Sequence, residues 1–293
     1  MAEMTSLIER LEAGEILVSD GAMSTMLQKM GLTSETCPEQ WNTSNPEAVA
    51  AVHRSYVLAG SDIICTNSCG GNPLKLDRYG LSGRTAELNA AGVRLAKEAA
   101  GDKVLVAASV GPTGRLLEPL GDLSADEARA AFAEQVGAAT SAGADAILFE
   151  TFFDLAEAEQ AIKAALPFGT PIICTMTFDA NGRTLMGTDA ASAARALVGF
   201  GVRVVGANCG LGPEAMLPLV RQMAASGAFV MMQPNAGLPS VGGGEVAYSV
   251  TPETMADYAV RFVDSGAGIV GGCCGSTPEH IAAIVKAVKQ QMG

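Results

Sequence analysis

Short runs of apolar, β-branched residues alternate along the chain with longer stretches whose apolar positions recur at helical spacing. The short runs predict strands at Ile16–Ser19, Asp62–Thr66, Val104–Ser109, Asp145–Glu150, Pro171–Thr177, Val202–Asn208, Phe229–Gln233 and Gly268–Gly271. A helical pattern follows each one: Pro46–Ala59, Thr85–Ala100, Ala125–Ala142, Leu155–Ala165, Ala190–Phe200, Pro213–Ala225, Pro252–Ser265 and Pro278–Gln291. Asn45-Pro46, Thr251-Pro252 and Thr277-Pro278 place a capping side chain and an early proline at helix starts. Ala59-Gly60, Ala142-Gly143 and Ser265-Gly266 place glycine just past helix ends. Eight strand–helix units predict one α/β domain over residues 1–293, a (β/α)8 TIM barrel. A doubly wound open sheet is the alternative, but no G-x-G-x-x-G opens a helix here. The Gly242-Gly243-Gly244 stretch falls in a βα loop and is expected to act as a mobile lid.

Barrel enzymes keep their active sites at the C-terminal ends of the strands. The residues expected there are Asp20, Asn67, Ser109, Glu150, Thr177, Asn208, Cys209, Asn235, Cys273 and Cys274. Cys209 closes one strand in the run Gly206-Ala207-Asn208-Cys209-Gly210, and Cys273 and Cys274 close another in Gly271-Gly272-Cys273-Cys274-Gly275. Three converging thiolates with no nearby histidine form a soft-ligand site, whose commonest occupant is zinc. A redox role for the vicinal pair and plain burial for Cys209 are the alternatives. Tetrahedral zinc held by three cysteines keeps one position open, for water or a substrate thiol. Three thiolates already donate much negative charge, which makes the metal a poor activator of water. A fourth thiolate would remain nucleophilic and available at neutral pH, where a free thiol is mostly protonated. The charge therefore favours thiol alkylation over hydrolysis.

Such a thiol substrate needs an anchor. Asp20 and Glu150 could share an ammonium group, and backbone N–H groups of the Gly21-Ala22 turn could hold a carboxylate. An ordinary turn and a barrel-mouth ion pair are the bland readings of the same residues. An α-amino acid with a side-chain thiol satisfies both features. Trp41, the single tryptophan, lies in the first βα loop. It reads either as loop packing or as a wall of a methyl-donor pocket, since indole faces hold quaternary ammonium groups.

Composition narrows the partners. A net charge of −12 argues against nucleic acid or an anionic membrane surface. The first fifteen residues carry no secretory apolar region, and no apolar run reaches transmembrane length. Seven cysteines without small-scaffold spacing read as reduced thiols of a cytoplasmic protein. Cys37, Cys65, Cys69 and Cys174 read as structural, as do His53 and His280.

The chain resembles the homocysteine S-methyltransferase family over essentially its whole length. The resemblance rests on Asp20-Gly21-Ala22, Asp62-Ile63-Ile64-Cys65-Thr66-Asn67-Ser68, Ser109-Val110-Gly111-Pro112-Thr113-Gly114, Glu150-Thr151 and the two cysteine runs. It implies a zinc-dependent (β/α)8 barrel that methylates homocysteine to methionine. Cys209, Cys273 and Cys274 would be the zinc ligands. Asp20 and Glu150 would hold the homocysteine amino group, Gly21 and Ala22 its carboxylate, and Asn208 would orient the site. The runs Phe178–Leu185, Pro234–Pro239 and Cys274–His280 look most like the homocysteine module of cobalamin-dependent methionine synthase. No folate, cobalamin or reactivation module follows here, so a methylcobalamin donor is expected on a separate corrinoid protein. Betaine and S-methylmethionine, used by other family members, are the small-donor alternatives, and a zinc- and thiol-binding subunit inactive without a corrinoid partner is a third. After Asn67-Ser68, Cys69 stands where the family commonly has an aromatic residue.

Overall fold

The computed structural model describes residues 6–242 and 245–291. Eight parallel strands form the barrel: β1 (Leu17–Val18), β2 (Ile63–Cys65), β3 (Leu105–Val110), β4 (Ala146–Phe152), β5 (Ile172–Met176), β6 (Val204–Asn208), β7 (Phe229–Gln233) and β8 (Ile269–Val270). Neighbours pair in the order β1-β8-β7-β6-β5-β4-β3-β2. The ring closes through a parallel bridge between Ser19 and Ile63. Eight helices wrap it: α1 (Pro46–Ala59), α2 (Thr85–Ala100), α3 (Ala125–Ser141), α4 (Leu155–Ala165), α5 (Ala190–Gly199), α6 (Pro213–Ala224), α7 (Pro252–Asp264) and α8 (Pro278–Gln291). The TIM-barrel expectation holds, with most element boundaries within two residues of the predicted ones.

Strand alternation explains how the barrel is filled. Leu17, Ile63, Leu105, Leu148, Ile173, Val204, Met231 and Ile269, from all eight strands, form one apolar cluster. Their immediate neighbours, such as Val18, Ile64, Val106, Phe149, Cys174, Val205, Met232 and Val270, belong to the larger cluster shared with the helices. Successive strand side chains point to opposite faces, so the first cluster fills the lumen and the second lies between strands and helices. Leu7 and Leu11 join the lumen cluster from the short helix Leu7–Glu12. This helix starts at a capping box on Ser6 and precedes β1, so its buried leucines stopper the N-terminal end of the barrel.

The same two-residue phase carries Ser19, Cys65, Ser109, Glu150, Thr175, Asn208 and Gln233 toward the top of the lumen. β4 runs to Phe152 because its pairing with β5 shifts register between Phe149 and Phe152. The irregularity sets Glu150 and Thr151 out of the ladder. β1 and β8 are short because their chains leave the ladder to form the loops of the site. Gly243 and Gly244 of the expected lid lie outside the described residues; Ser240–Gly242 and Glu245–Ala247 pair beside them as an antiparallel hairpin. Among the described residues no helix is long and apolar enough to cross a membrane.

Candidate active site

A cavity of about 310 Å³ opens at the C-terminal ends of the strands. Asp20, Glu150, Cys209, Cys273 and Cys274 all line it, with Gly21 and Ala22. The barrel seam places Asp20. Beyond β1, Asp20 N donates to Ile63 O at 3.0 Å, and its Oδ2 accepts from Cys65 N at 2.7 Å. Its other oxygen, Oδ1, is buried and has no hydrogen-bond partner among the described residues. Burial pushes the Asp20 carboxyl up to about 7; the Cys65 N–H opposes this, and the charge of Glu150 adds to it. Glu150 accepts a very short hydrogen bond from Ser109 Oγ. Burial raises its carboxyl too, and the Ser109 bond pulls it back. One buried and one half-buried carboxylate, with spare acceptor capacity, thus share one cavity, and an unpaired buried carboxylate favours a positive partner.

The Gly21-Ala22 turn is pinned from two sides. Tyr56, fully buried on α1, donates from its hydroxyl to Ala22 O at 2.9 Å and lies 3.2 Å from Ser276 O. A Cβ on Gly21 would come within 2.8 Å of Ser276 Oγ and 2.9 Å of the Tyr56 hydroxyl, so only glycine lets the turn approach this closely. Gly272 faces Ser276 from the other side, and its N donates to Asp20 O at 3.0 Å. The cysteine loop and the Asp20 turn are thus clamped together by backbone contact.

The sulfurs of Cys209, Cys273 and Cys274 lie within 4.8 Å of one another, close enough for one ion to touch all three. Cys209 Sγ and Cys274 Sγ are 3.8 Å apart. Hydrogen bonds from the Cys273 and Cys274 thiols hold the Cys209 sulfur well down toward thiolate. Cys65, Cys69 and Cys174 stand apart from the cluster, and burial is the main cause that pushes each of their thiols up, with nearby carboxylates adding to it at Cys65 and Cys69. The side chain of Asn235 reaches Cys209, yet its buried Oδ1 lacks a partner among the described residues.

Asn208 joins the cluster to the carboxylates. Its Oδ1 accepts from Thr151 N and Thr175 Oγ1, both at 2.8 Å. Its Nδ2 donates to Thr151 Oγ1 at 2.8 Å and lies 3.4 Å from Glu150 Oε2 and 3.8 Å from Cys273 Sγ. The residues that follow Glu150 and Asn208, namely Thr151 (φ 65°) and Cys209 (φ 57°), are the two non-glycine residues with left-handed backbone among those described. A β-branched threonine there costs about 1–3 kcal/mol, and such strain persists only where surrounding bonds impose it. Asn208 supplies those bonds. Asn208→Ala is therefore expected to lower kcat/KM about 100-fold and stability by about 2 kcal/mol. Unchanged turnover in steady-state kinetics would show that Asn208 merely packs.

A family model described as homocysteine S-methyltransferase matches residues 17–288. The chain belongs to the homocysteine S-methyltransferase family. Among its relatives in that family, the methionine synthases of Mycobacterium leprae and Mycobacterium tuberculosis are each 33% identical to it over 304 aligned positions. The match takes in 97% of this chain and 25% of each synthase, so the chain spans about a quarter of their length. The metallated form of the homocysteine methyltransferase MmuM from Escherichia coli superposes with a TM-score of 0.79 at 25% identity, covering 94% of this chain and 96% of that one.

Thr177, Asn208 and Asn235 stand behind the cavity wall, whereas Asn67 and Ser109 line it with the cysteines and carboxylates. Trp41 packs half-buried against the helix-side core and does not line the cavity; Glu39, two residues earlier, does. Cys65 and Cys69, read from sequence as structural, also face the cavity, as do Thr151 and Lys75. Tyr56 and Ser276 gave no signal because they meet across 220 residues of sequence. His280 closes the start of α8, with Nδ1 accepting from Thr277 N at 3.1 Å and Nε2 lying 2.9 Å from Val250 O.

Proposed function

We propose that this protein transfers a methyl group to the thiol of homocysteine, forming methionine, with zinc held by Cys209, Cys273 and Cys274. The observation that carries the reading is one cavity joining three clustered sulfurs to the carboxylates of Asp20 and Glu150. The residues fit the metal: the donors are all soft, they meet at one point, and a buried amide oxygen beside them lacks a partner among the described residues. When bound, zinc supplies the charge that keeps a substrate thiol ionised at neutral pH.

The remaining work falls to the chain. The Asp20 and Glu150 carboxylates receive the homocysteine ammonium, and Asp20 Oδ1 is free to accept from it. The N–H groups of the glycine-clamped turn receive its carboxylate. Held at both ends, the amino acid has its side chain directed at the cysteine cluster, and this positioning converts an encounter into an aligned attack. A sulfur–carbon bond forms as the bond between the methyl group and the donor breaks. The electron pair of the broken bond leaves with the donor.

The likeness to methionine synthase supports a methylcorrinoid donor. One observation favours a small donor. The cavity lies at the low end of the about 300–1,000 Å³ range of small-molecule sites, a size that suits homocysteine and a second small molecule.

Zinc-loaded protein given homocysteine with betaine, S-methylmethionine or methylcobalamin, in separate reactions, tests the proposal through methionine formation. We expect methionine from at least one donor and none after chelation. Zinc-loaded protein that neither binds homocysteine in calorimetry nor makes methionine would overturn the reading.

A further inference from the structure

Three carboxylates line the cavity, Asp20, Glu39 and Glu150, and each already has a task. Asp20 and Glu150 are the ammonium receptor proposed above. Glu39 holds the wall together: its Oε1 accepts from Gly70 N at 2.6 Å and its Oε2 from the Cys37 thiol at 3.1 Å. Among the described residues, the one cation that lines the cavity is Lys75. Lys97, Lys163 and Lys289 each meet a carboxylate. No carboxylate of the described residues lies within ion-pair distance of the Lys75 ammonium.

Lys75 is also firmly mounted. It sits on the short turn of helix Pro73–Leu76, where the fully buried Asn72 accepts from Lys75 N at 2.9 Å and Leu76 is buried beneath. Its side chain is half-buried. Its charge reaches inward, since it draws the carboxyl of Glu150 and the thiol of Cys69 downward against their burial. A partly desolvated ammonium without a counter-ion invites an anionic ligand, because pairing would offset the solvation already lost. The cavity therefore carries the three clustered sulfurs and the Asp20 and Glu150 carboxylates together with one positive group from the turn of helix that follows β2.

We infer that Lys75 anchors the carboxylate of a small zwitterionic methyl donor, whose positive, methyl-bearing centre faces the cysteine cluster. This rests on the small-donor reading of the proposed function. Lys75 would then be a specificity-determining residue, selecting onium donors that carry a carboxylate over those that do not. In the proposed reading homocysteine is held by Asp20, Glu150 and the Gly21-Ala22 turn, without a bond to Lys75.

The test uses zinc-loaded protein saturated with homocysteine, and reads donor affinity by calorimetry. The probes are betaine against choline, which has an alcohol in place of the carboxylate, and S-methylmethionine against its amide. We expect one of the two carboxylate-bearing donors to bind about 10- to 100-fold more tightly than its counterpart without the carboxylate. In Lys75→Met that advantage disappears, while zinc content and homocysteine affinity stay unchanged; Lys75→Arg keeps part of it. Equal binding of acid and counterpart, or no binding of either acid, overturns the inference. So does a Lys75→Met protein that loses homocysteine but keeps the donor. Failure of wild-type protein to bind homocysteine sinks the methyltransferase reading instead; the same donor pairs, titrated without homocysteine, still report on Lys75.

Discussion

Replacing Cys273 with alanine should remove the bound metal and with it at least about 1,000-fold of the methyl-transfer rate, the largest single effect expected here. Cys273 sits at the meeting point of the site: its sulfur lies 3.8 Å from Asn208 Nδ2, and its backbone N donates to Pro234 O at 2.8 Å. Removing it leaves two sulfurs, too few to compete with water and solution ligands for zinc. The homocysteine thiol then keeps its ordinary pKa of about 8.5, and only a few per cent is thiolate at neutral pH. Metal analysis of the purified variant and methionine assays on the same preparation measure the two losses together. The backbone of the loop is held by Pro234 and Ser276 rather than by the sulfur, so the variant should fold. Full turnover by a metal-free Cys273→Ala protein would remove zinc from the account.

Asp20→Asn should produce a protein that is more stable at neutral pH and nearly unable to bind homocysteine. Burial, which penalises its charge, pushes the Asp20 carboxyl up to about 7 in the folded chain, from an ordinary value of 3.8. Below about pH 4 the group is protonated in folded and unfolded chains alike, and its contribution to stability is fully present. As the pH rises toward 7, the unfolded chain gives up the proton and the folded chain retains it, so that contribution is progressively lost. At about 1.4 kcal/mol per pH unit between the two values, the loss is on the order of 4 kcal/mol at neutral pH. Asparagine carries no such charge and can still accept from Cys65 N. Thermal unfolding of the zinc-loaded proteins should show little difference at pH 4 and a higher Tm for the variant at pH 8. Its KM for homocysteine should rise about 100-fold, since an ammonium gains much less from an amide than from a buried carboxylate. A variant less stable at every pH, with homocysteine KM unchanged, would show that Asp20 is structural.

Much of this arrangement could be read from the residues because strand phase is a local property. Ser109 lies four residues after Leu105 and Glu150 two after Leu148, so an apolar pattern that fixes the lumen also points these polar groups into its mouth. The glycine-flanked cysteines were legible for the same reason. What stayed hidden depends on distant contacts or on fine local geometry. Tyr56 reads as one more apolar position of a helix, and nothing in its neighbourhood announces Ser276. Glu39 and Trp41 share a loop, and only the 3₁₀ turn Pro38–Gln40 decides which of them faces the cavity. Lys75 looks like any surface lysine until the turn Pro73–Leu76 is seen to border the site.

The leucine stopper of helix Leu7–Glu12 has a kinetic meaning. With the filled lumen above it, it leaves the cavity described at the loop end of the barrel without a passage through the barrel axis among the described residues. Whatever lies deepest must arrive first and depart last. On the proposed reading, homocysteine bound at the cysteines would precede the donor, and the spent donor would clear the mouth before methionine could follow, so traffic through the site would be a queue rather than a free exchange.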